Sequence, residues 1–182
     1  MTRDFGDNVF AGVAKYYVKY RPSYLAGLFE DIVKDFSLDE RGKLLDLGCG
    51  TGELAIPLAK YFKTVLAVDP DPDMLAEGQK KAKKLKIDNV AWQKNSSKEL
   101  NKLKGPFRLV TMGRSFHWMD QETVLNQLYG LIEVGGGLAI IGNEPVEQGS
   151  EAAKRDEIVQ RLIKKYLGPK RRAGDKIYSP RQ

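Results

Sequence analysis

Lys43-Leu44-Leu45-Asp46-Leu47-Gly48-Cys49-Gly50-Thr51-Gly52-Glu53-Leu54-Ala55 is the stretch that decides how this 182-residue chain folds. A short apolar run carries one acidic residue, three alternate glycines follow, and a helical pattern then begins. The pattern predicts a buried strand, a tight glycine turn and a helix N-terminus. Such a turn points bare backbone N–H groups at a ligand. Glycine there lets the backbone turn sharply and approach the ligand closely.

Strand and helix patterns alternate outward from this loop. Upstream, residues 9–20 predict a short aromatic helix that Arg21-Pro22 breaks, since a residue before proline avoids the helical region. Leu25, Leu28, Phe29, Ile32, Val33 and Phe36 then recur at three- and four-residue spacing, predicting an amphipathic helix over 22–36. Downstream, a helix follows Gly52, with Pro57 in its early turns. Thr64–Val68 predicts a second strand, ending at Asp69-Pro70, and 72–85 a helix with lysines 80, 81, 83, 84 and 86 on its outer face. Val90–Gln93 predicts a third strand, 97–103 a short helix, Phe107–Met112 a fourth strand and 123–132 a helix. Gly135-Gly136-Gly137 reads as the turn into a fifth strand, 138–141. Short apolar strands alternating with helices indicate a doubly wound, Rossmann-like α/β sheet, parallel and covered on both faces.

Composition narrows the class further. Hydrophobic residues make up 42% of the chain, as in a globular protein. No apolar run approaches the ~18 residues of a membrane span. The polar N-terminus does not read as a signal peptide, and a single cysteine, Cys49, suits a reducing cytoplasm. The net charge of +6 is uneven: residues 151–182 hold 10 Lys+Arg and 4 Asp+Glu, leaving 20 of each in residues 1–150. A neutral body with a basic tail disfavours a nucleic-acid protein, which would spread basic charge over its working face. Residues 1–150 are therefore read as one cofactor-binding domain with N-terminal lid helices over 9–36. Residues 151–182 are read as a C-terminal helix and basic tail.

Two ligand classes use a strand, glycine loop and helix in this order: dinucleotides and adenosyl cofactors. The dinucleotide fingerprint is spaced G-x-G-x-x-G, whereas Gly48, Gly50 and Gly52 alternate and Glu53 stands where the last glycine would fall. Asp46 and Glu53 would repel a pyrophosphate, whereas Asp46 would attract a cofactor ammonium, directly or through water. Asp69, 17 residues past Gly52, can accept both hydroxyls of a ribose in either class. A P-loop is excluded for lack of the Gly-Lys-Ser/Thr ending.

Leu44 to Gly52 resembles motif I of class I S-adenosylmethionine-dependent methyltransferases. Val68-Asp69-Pro70 with Met74 resembles the acidic-strand motif that follows it. Ser115-Phe116-His117-Trp118 resembles the SFHW signature of the small-molecule subgroup that includes trans-aconitate methyltransferase-like (methyltransferase type 11) proteins. Tyr20-Arg21-Pro22-x-Tyr24 resembles that subgroup's N-terminal segment. The resemblance implies strand order 3-2-1-4-5 and S-adenosyl-L-methionine as cofactor, with no metal. Gly48, Gly50 and Gly52 would line the methionine part, with Asp46 and Cys49 also in the cofactor site. Asp69 would hold the ribose, and Pro70 and Met74 would flank the adenine. Ser96 and Ser97 would close over the adenine, and Gly113 and Arg114 would lie nearest the methionine. Tyr20, Arg21 and Trp118 are expected at the lid and acceptor.

The chain also departs from the family pattern. Ser96 stands where an acidic residue is usual, and Arg108 where an aspartate is usual. No antiparallel strand pair six and seven follows Ile141 in the pattern, so a partner or second copy is one expected cover for the fifth strand's edge. The implied activity is methyl transfer to a small organic acceptor, a carboxylic acid or a quinone-like ring. His117 is the candidate base, and Arg21 and Arg114 are candidate carboxylate holders. A non-catalytic or truncated cofactor-binding module is the alternative. An RNA-associated methyltransferase ranks third, since the chain has neither the Pro-Pro-aromatic run of base-nitrogen methylation nor a cysteine outside the cofactor loop.

Overall fold

Leu44, Leu45 and Leu47 are almost wholly buried, and their burial is what seats β1 (Lys43–Leu47) at the centre of the sheet. Each contributes about 1.5–3 kcal/mol relative to exposure. A computed structural model describes residue 14 and residues 23–142. It contains five parallel strands: β1, β2 (Thr64–Asp69), β3 (Val90–Lys94), β4 (Phe107–Gly113) and β5 (Ile132–Ile141). Their spatial order is β3-β2-β1-β4-β5. The helices bounded within the described residues are α1 (Ala26–Asp35), α2 (Ala55–Leu58), α3 (Pro72–Lys84) and α4 (Gln121–Tyr129).

Alternation along β1 sorts side chains to opposite faces. Leu44 packs with Ile32 of α1, Leu58 of α2 and Leu75 of α3. Leu45 and Leu47 pack on the other face with Val124 and Leu128 of α4 and with Leu100. Leu100 lies in a 3-10 segment, Ser97–Lys102. Asp46 alternates with these leucines and lies on the α1–α3 face, level with Thr111 of β4. β1 has β2 on one side and β4 on the other, so the chain reverses direction across the sheet between β1 and β4. Open α/β sheets bind ligands outside the strands' carboxyl ends at such a reversal.

The structure corrects three sequence expectations. The helix expected over 22–36 starts at Ala26 among the described residues, after an extended Leu25. The helix after Gly52 is a four-residue turn that passes into a 3-10 turn, Ala59–Tyr61. The helix expected over 123–132 ends at Tyr129, and Ile132 already pairs with Phe107 in β5. The glycine triplet therefore lies inside a strand. A register shift between Phe107 and Leu109 carries the pairing from Ile132 to Gly137. Gly137 is glycine because Phe36 fills its side-chain space: a Cβ there would lie 2.1 Å from the ring. Arg108 clasps this region, donating from one guanidinium nitrogen to the Gly135 carbonyl (2.9 Å) and from the other to Phe36 (3.1 Å). That accounts for arginine where the resemblance implies aspartate. The expected N-terminal helix 9–20 and C-terminal segment 151–182 lie outside the described residues. Among the described residues, no helix is long and apolar enough to cross a membrane.

Candidate functional site

The loop after β1 is held by its own donors. Gly48 and Cys49 both donate their N–H to the Val68 carbonyl at the end of β2 (2.8 and 2.9 Å). Gly52 donates to the Cys49 carbonyl (2.9 Å), and Gly50 to Asp69 Oδ2 (2.8 Å). Of the N–H groups that the sequence predicts to face a ligand, the structure commits those of Gly48, Cys49, Gly50 and Gly52 elsewhere. These four donors are occupied by the chain, because a glycine turn this tight reaches the neighbouring strand end. What the loop presents instead is backbone without side chains. Gly50 has φ +53°, and a Cβ built on it meets nothing within 4 Å, so its open side faces free space.

Asp46 lies beneath the loop and is 1% exposed. Its level with Thr111 on β4 lets the Thr111 hydroxyl donate to Oδ1 (2.9 Å), and Ala55 N–H, at the start of α2, donates to Oδ2 (3.0 Å). Burial pushes the Asp46 carboxyl up to about 7, against the lowering effect of those two donors. Asp69 is 9% exposed. It accepts the Gly50 N–H at one oxygen and the Asp71 N–H at the other (2.9 Å). Burial raises its carboxyl as well, offset by those two donors. Each oxygen keeps a lone-pair direction for a further donor. Asp71, not Asp69, caps α3, accepting from the Asp73 and Met74 amides, and its Oδ2 is buried without a hydrogen-bond partner. The Cys49 thiol is pushed well up, first by burial and then by Asp46 and Asp69, so it stays neutral.

A small cleft of about 20 Å³ opens here, lined by Tyr24, Asp46, the Gly48–Gly50 loop, Glu53, Leu54, Gly113 and Arg114. Of the expected site residues, the structure brings Asp46, Gly48, Cys49, Gly50, Gly113 and Arg114 together around it. Gly52, Asp69, Pro70, Met74, Ser96 and Ser97 are not among its lining. Gly52 abuts the Trp92 ring. Met74 is buried in the core. Ser96 caps the 3-10 segment by accepting from Lys98 N–H (3.3 Å). His117 is exposed on a 3-10 turn, Phe116–Trp118, beyond β4, its ring 5.3 Å from that of the half-buried Trp118. Neither ring lines the cleft. Tyr20 and Arg21 lie outside the described residues.

Sequence reasoning gave no role to Tyr24, Leu54 or Thr111. Tyr24 carried the one available signal, its place in Tyr20-Arg21-Pro22-x-Tyr24. The Arg114 guanidinium sits 4.5 Å from the centroid of the Tyr24 ring, a cation–π distance. Arg114 holds φ +54°, which turns the chain sharply at the end of β4. Ser115, the next residue, donates its hydroxyl to the Leu47 carbonyl (2.9 Å) and ties β4's end to the loop. Among the described residues no three His, Cys, Asp or Glu side chains gather as a metal site.

A doubly wound sheet with a carboxylate-backed glycine loop at its reversal point defines a nucleoside-cofactor α/β protein. The methyltransferase domain family matches residues 44–136, just over half of the 182 residues, and the chain belongs to that family. An uncharacterized methyltransferase of Schizosaccharomyces pombe is 31% identical over 128 residues, 70% of this chain and 49% of that protein. The trans-aconitate 2-methyltransferase of Deinococcus radiodurans is 34% identical over 101 residues, 54% of this chain and 36% of that protein. The fold is shared with a Streptococcus mutans protein solved in complex with SAH, at TM-score 0.53 and 20% identity, covering 75% of this chain and 81% of that one. The chain spans about half the length of the curated relatives it matches.

Proposed function

We propose that the chain transfers a methyl group from S-adenosylmethionine to a small organic acceptor bearing a carboxylate. The carrying observation is the bare Gly50 backbone beside the buried carboxylates Asp46 and Asp69 at the sheet's reversal point. Three features fit that cofactor. A side chain at Gly50 would fill the cleft, so the position favours close approach of a ligand. Asp46, at low local dielectric, favours a cationic ligand over a pyrophosphate. The spare lone pairs of Asp69 suit the hydroxyls of a ribose.

When bound, the cofactor supplies an electrophilic methyl: the acceptor's lone pair forms the new bond as the carbon–sulfur bond breaks, and its electrons stay on sulfur as a neutral thioether. The chain's own residues position the partners, which can supply most of the acceleration in such a displacement. Gly113 and Arg114 form the wall of the cleft at the end of β4. The Arg114 guanidinium can pair bidentately with an acceptor carboxylate, and it lies 4.5 Å from the Tyr24 ring centroid, at a cation–π distance. His117 lies outside the cleft lining and is given no proton to carry.

Calorimetric titration with S-adenosylmethionine, followed by a methyl-transfer assay on a panel of small carboxylic acids and quinone-like rings, tests the reading. Micromolar binding and turnover on an acid are expected. Arg114→Lys should raise KM for the acid more than tenfold while leaving cofactor affinity within twofold. No binding at millimolar cofactor refutes the whole reading. Binding without turnover on any acceptor leaves a cofactor-binding module, and turnover on rings alone refutes the carboxylate.

A further inference from the structure

A second concavity, about 440 Å³, lies on the far side of Trp92 from the glycine loop, between the C-terminal half of α3 and β3. That is within the range of small-molecule sites, roughly 300–1,000 Å³. Trp92, Ile87 and Ala82 form its apolar wall, and Lys83, Lys86 and Asp88 its charged rim. The lysines of α3 are not equivalent. Lys80 pairs with Glu77 and Lys81 with Glu53, each near 2.8 Å or less. Lys83 and Lys86 form no ion pair among the described residues, so both ammonium groups at this rim are uncommitted.

The turn that builds the rim is unusual. After α3, Ile87 N–H returns to the Ala82 carbonyl (3.0 Å) and Lys86 N–H to the Lys83 carbonyl (3.1 Å). This is the double bond pattern of a helix C-terminus that normally has glycine at the left-handed position. Here that position is Lys86, at φ +58°. A lysine at this left-handed position is strained, and the turn sets Lys86 on the rim beside Ile87.

Trp92 links the concavity to the cofactor loop. Its six-membered ring lies against two glycines: a Cβ on Gly78 would come within 2.4 Å of it, and one on Gly52 within 2.6 Å. Trp92 lines the concavity while its six-membered ring rests on the last glycine of the loop. We propose that this concavity is a second ligand site, taking a small planar aromatic anion that stacks on Trp92 and sets its negative group on Lys83 and Lys86. Aromatic stacking adds to the area buried, and the lysines select anions over neutral rings. The inference stands apart from the methyl-transfer reading, since neither lysine lines the cofactor cleft.

Calorimetric titration of the full chain with naphthalene-2-sulfonate, with 2-naphthalenemethanol as neutral counterpart and AMP as nucleotide, tests it. One-to-one saturable binding of the sulfonate is expected, at least tenfold tighter than the neutral ring. Lys83→Gln/Lys86→Gln should weaken it at least tenfold, while the control Lys43→Gln/Lys63→Gln leaves it unchanged. Saturating S-adenosylmethionine should not displace it. AMP binding more tightly than the sulfonate, and weakened at least tenfold by Lys83→Gln/Lys86→Gln, would assign the site to nucleotides, and the reverse order to aromatic acids, both within the proposal. No saturable binding at millimolar sulfonate, equal loss in both double variants, or full displacement by S-adenosylmethionine overturns it. Circular dichroism of each variant separates loss of fold from loss of binding.

Discussion

Gly50→Ala and Gly48→Ala make the same chemical change two residues apart, and the structure assigns them opposite consequences. At Gly50 the added methyl meets nothing within 4 Å. The cost is that of alanine at φ +53°, about 1–2 kcal/mol. The Gly50 N–H bond to Asp69 survives, so the melting temperature should fall by only about 2–4 °C per kcal/mol. At Gly48 the methyl would lie 2.5 Å from Ser115 Cβ and 2.8 Å from its hydroxyl, at φ +71°. Relief requires Ser115 to move and release the Leu47 carbonyl. Overpacking of about 1–3 kcal/mol and a lost hydrogen bond of about 1 kcal/mol then add to the strain. The total, about 3–6 kcal/mol, is a large share of a typical domain's stability of about 5–15 kcal/mol. Gly50→Ala should therefore fold and lose at least tenfold in S-adenosylmethionine affinity, because its methyl occupies the cleft. Gly48→Ala should fail mainly in stability. Thermal unfolding by circular dichroism and calorimetric titration read the two effects separately. A folded Gly50→Ala that binds like the wild type, or a Gly48→Ala as stable as Gly50→Ala, would refute the assignment of the loop's open side.

Asp46 binds its proton more tightly folded than unfolded, so its contribution to stability is fully present below pH 4 and is lost as pH rises through about 7. From the ordinary 3.8 to about 7 that loss is about 4 kcal/mol at most. Urea denaturation should therefore show Asp46→Asn gaining on the wild type between pH 5 and 8, and a constant difference would count against it. Gly137→Ala drives a methyl into the Phe36 ring and should cost about 1–3 kcal/mol, measured as a lower urea midpoint; an unchanged midpoint would mean that helix α1 packs differently. His117→Gln should keep turnover within about threefold on any accepted acid, since the exposed imidazole lies outside the cleft. A hundredfold loss, the scale of general-base removal, would restore the histidine to the chemistry.

The sheet was legible because β1, β2 and β4 are short apolar runs closed by a polar or glycine residue, the pattern of a buried parallel strand. The loop's place at the carboxyl end of β1 followed from its position directly after the apolar run. What local pattern could not carry was the use made of each glycine. Gly135-Gly136-Gly137 looks like a turn, yet it lies in a strand: Gly137 is bare because of Phe36, a hundred residues earlier on another element, Gly136 because of the Arg108 and Glu133 carbonyls and Ile132, and Gly135 because of its φ of +78°. Gly50 carries the same letter for a space that stays open. A glycine in sequence says that something approaches the backbone closely; only the packed partner, or its absence, says what.

Asp46 shows the same division at the level of charge. In the sequence it is a carboxylate beside a cofactor loop, and a direct partner for an ammonium is the natural reading. In the fold it is also the joint between β4, through Thr111, and the start of α2, through Ala55. The two roles pull its proton in opposite directions. The buried fold favours the neutral acid, while a cationic cofactor favours the carboxylate. Binding a sulfonium nucleoside near neutral pH must therefore release a proton and offset the folding cost of that charge. Cofactor affinity rising with pH toward 7, while the free protein loses stability over the same range, is the thermodynamic consequence of one carboxylate serving both the fold and the ligand.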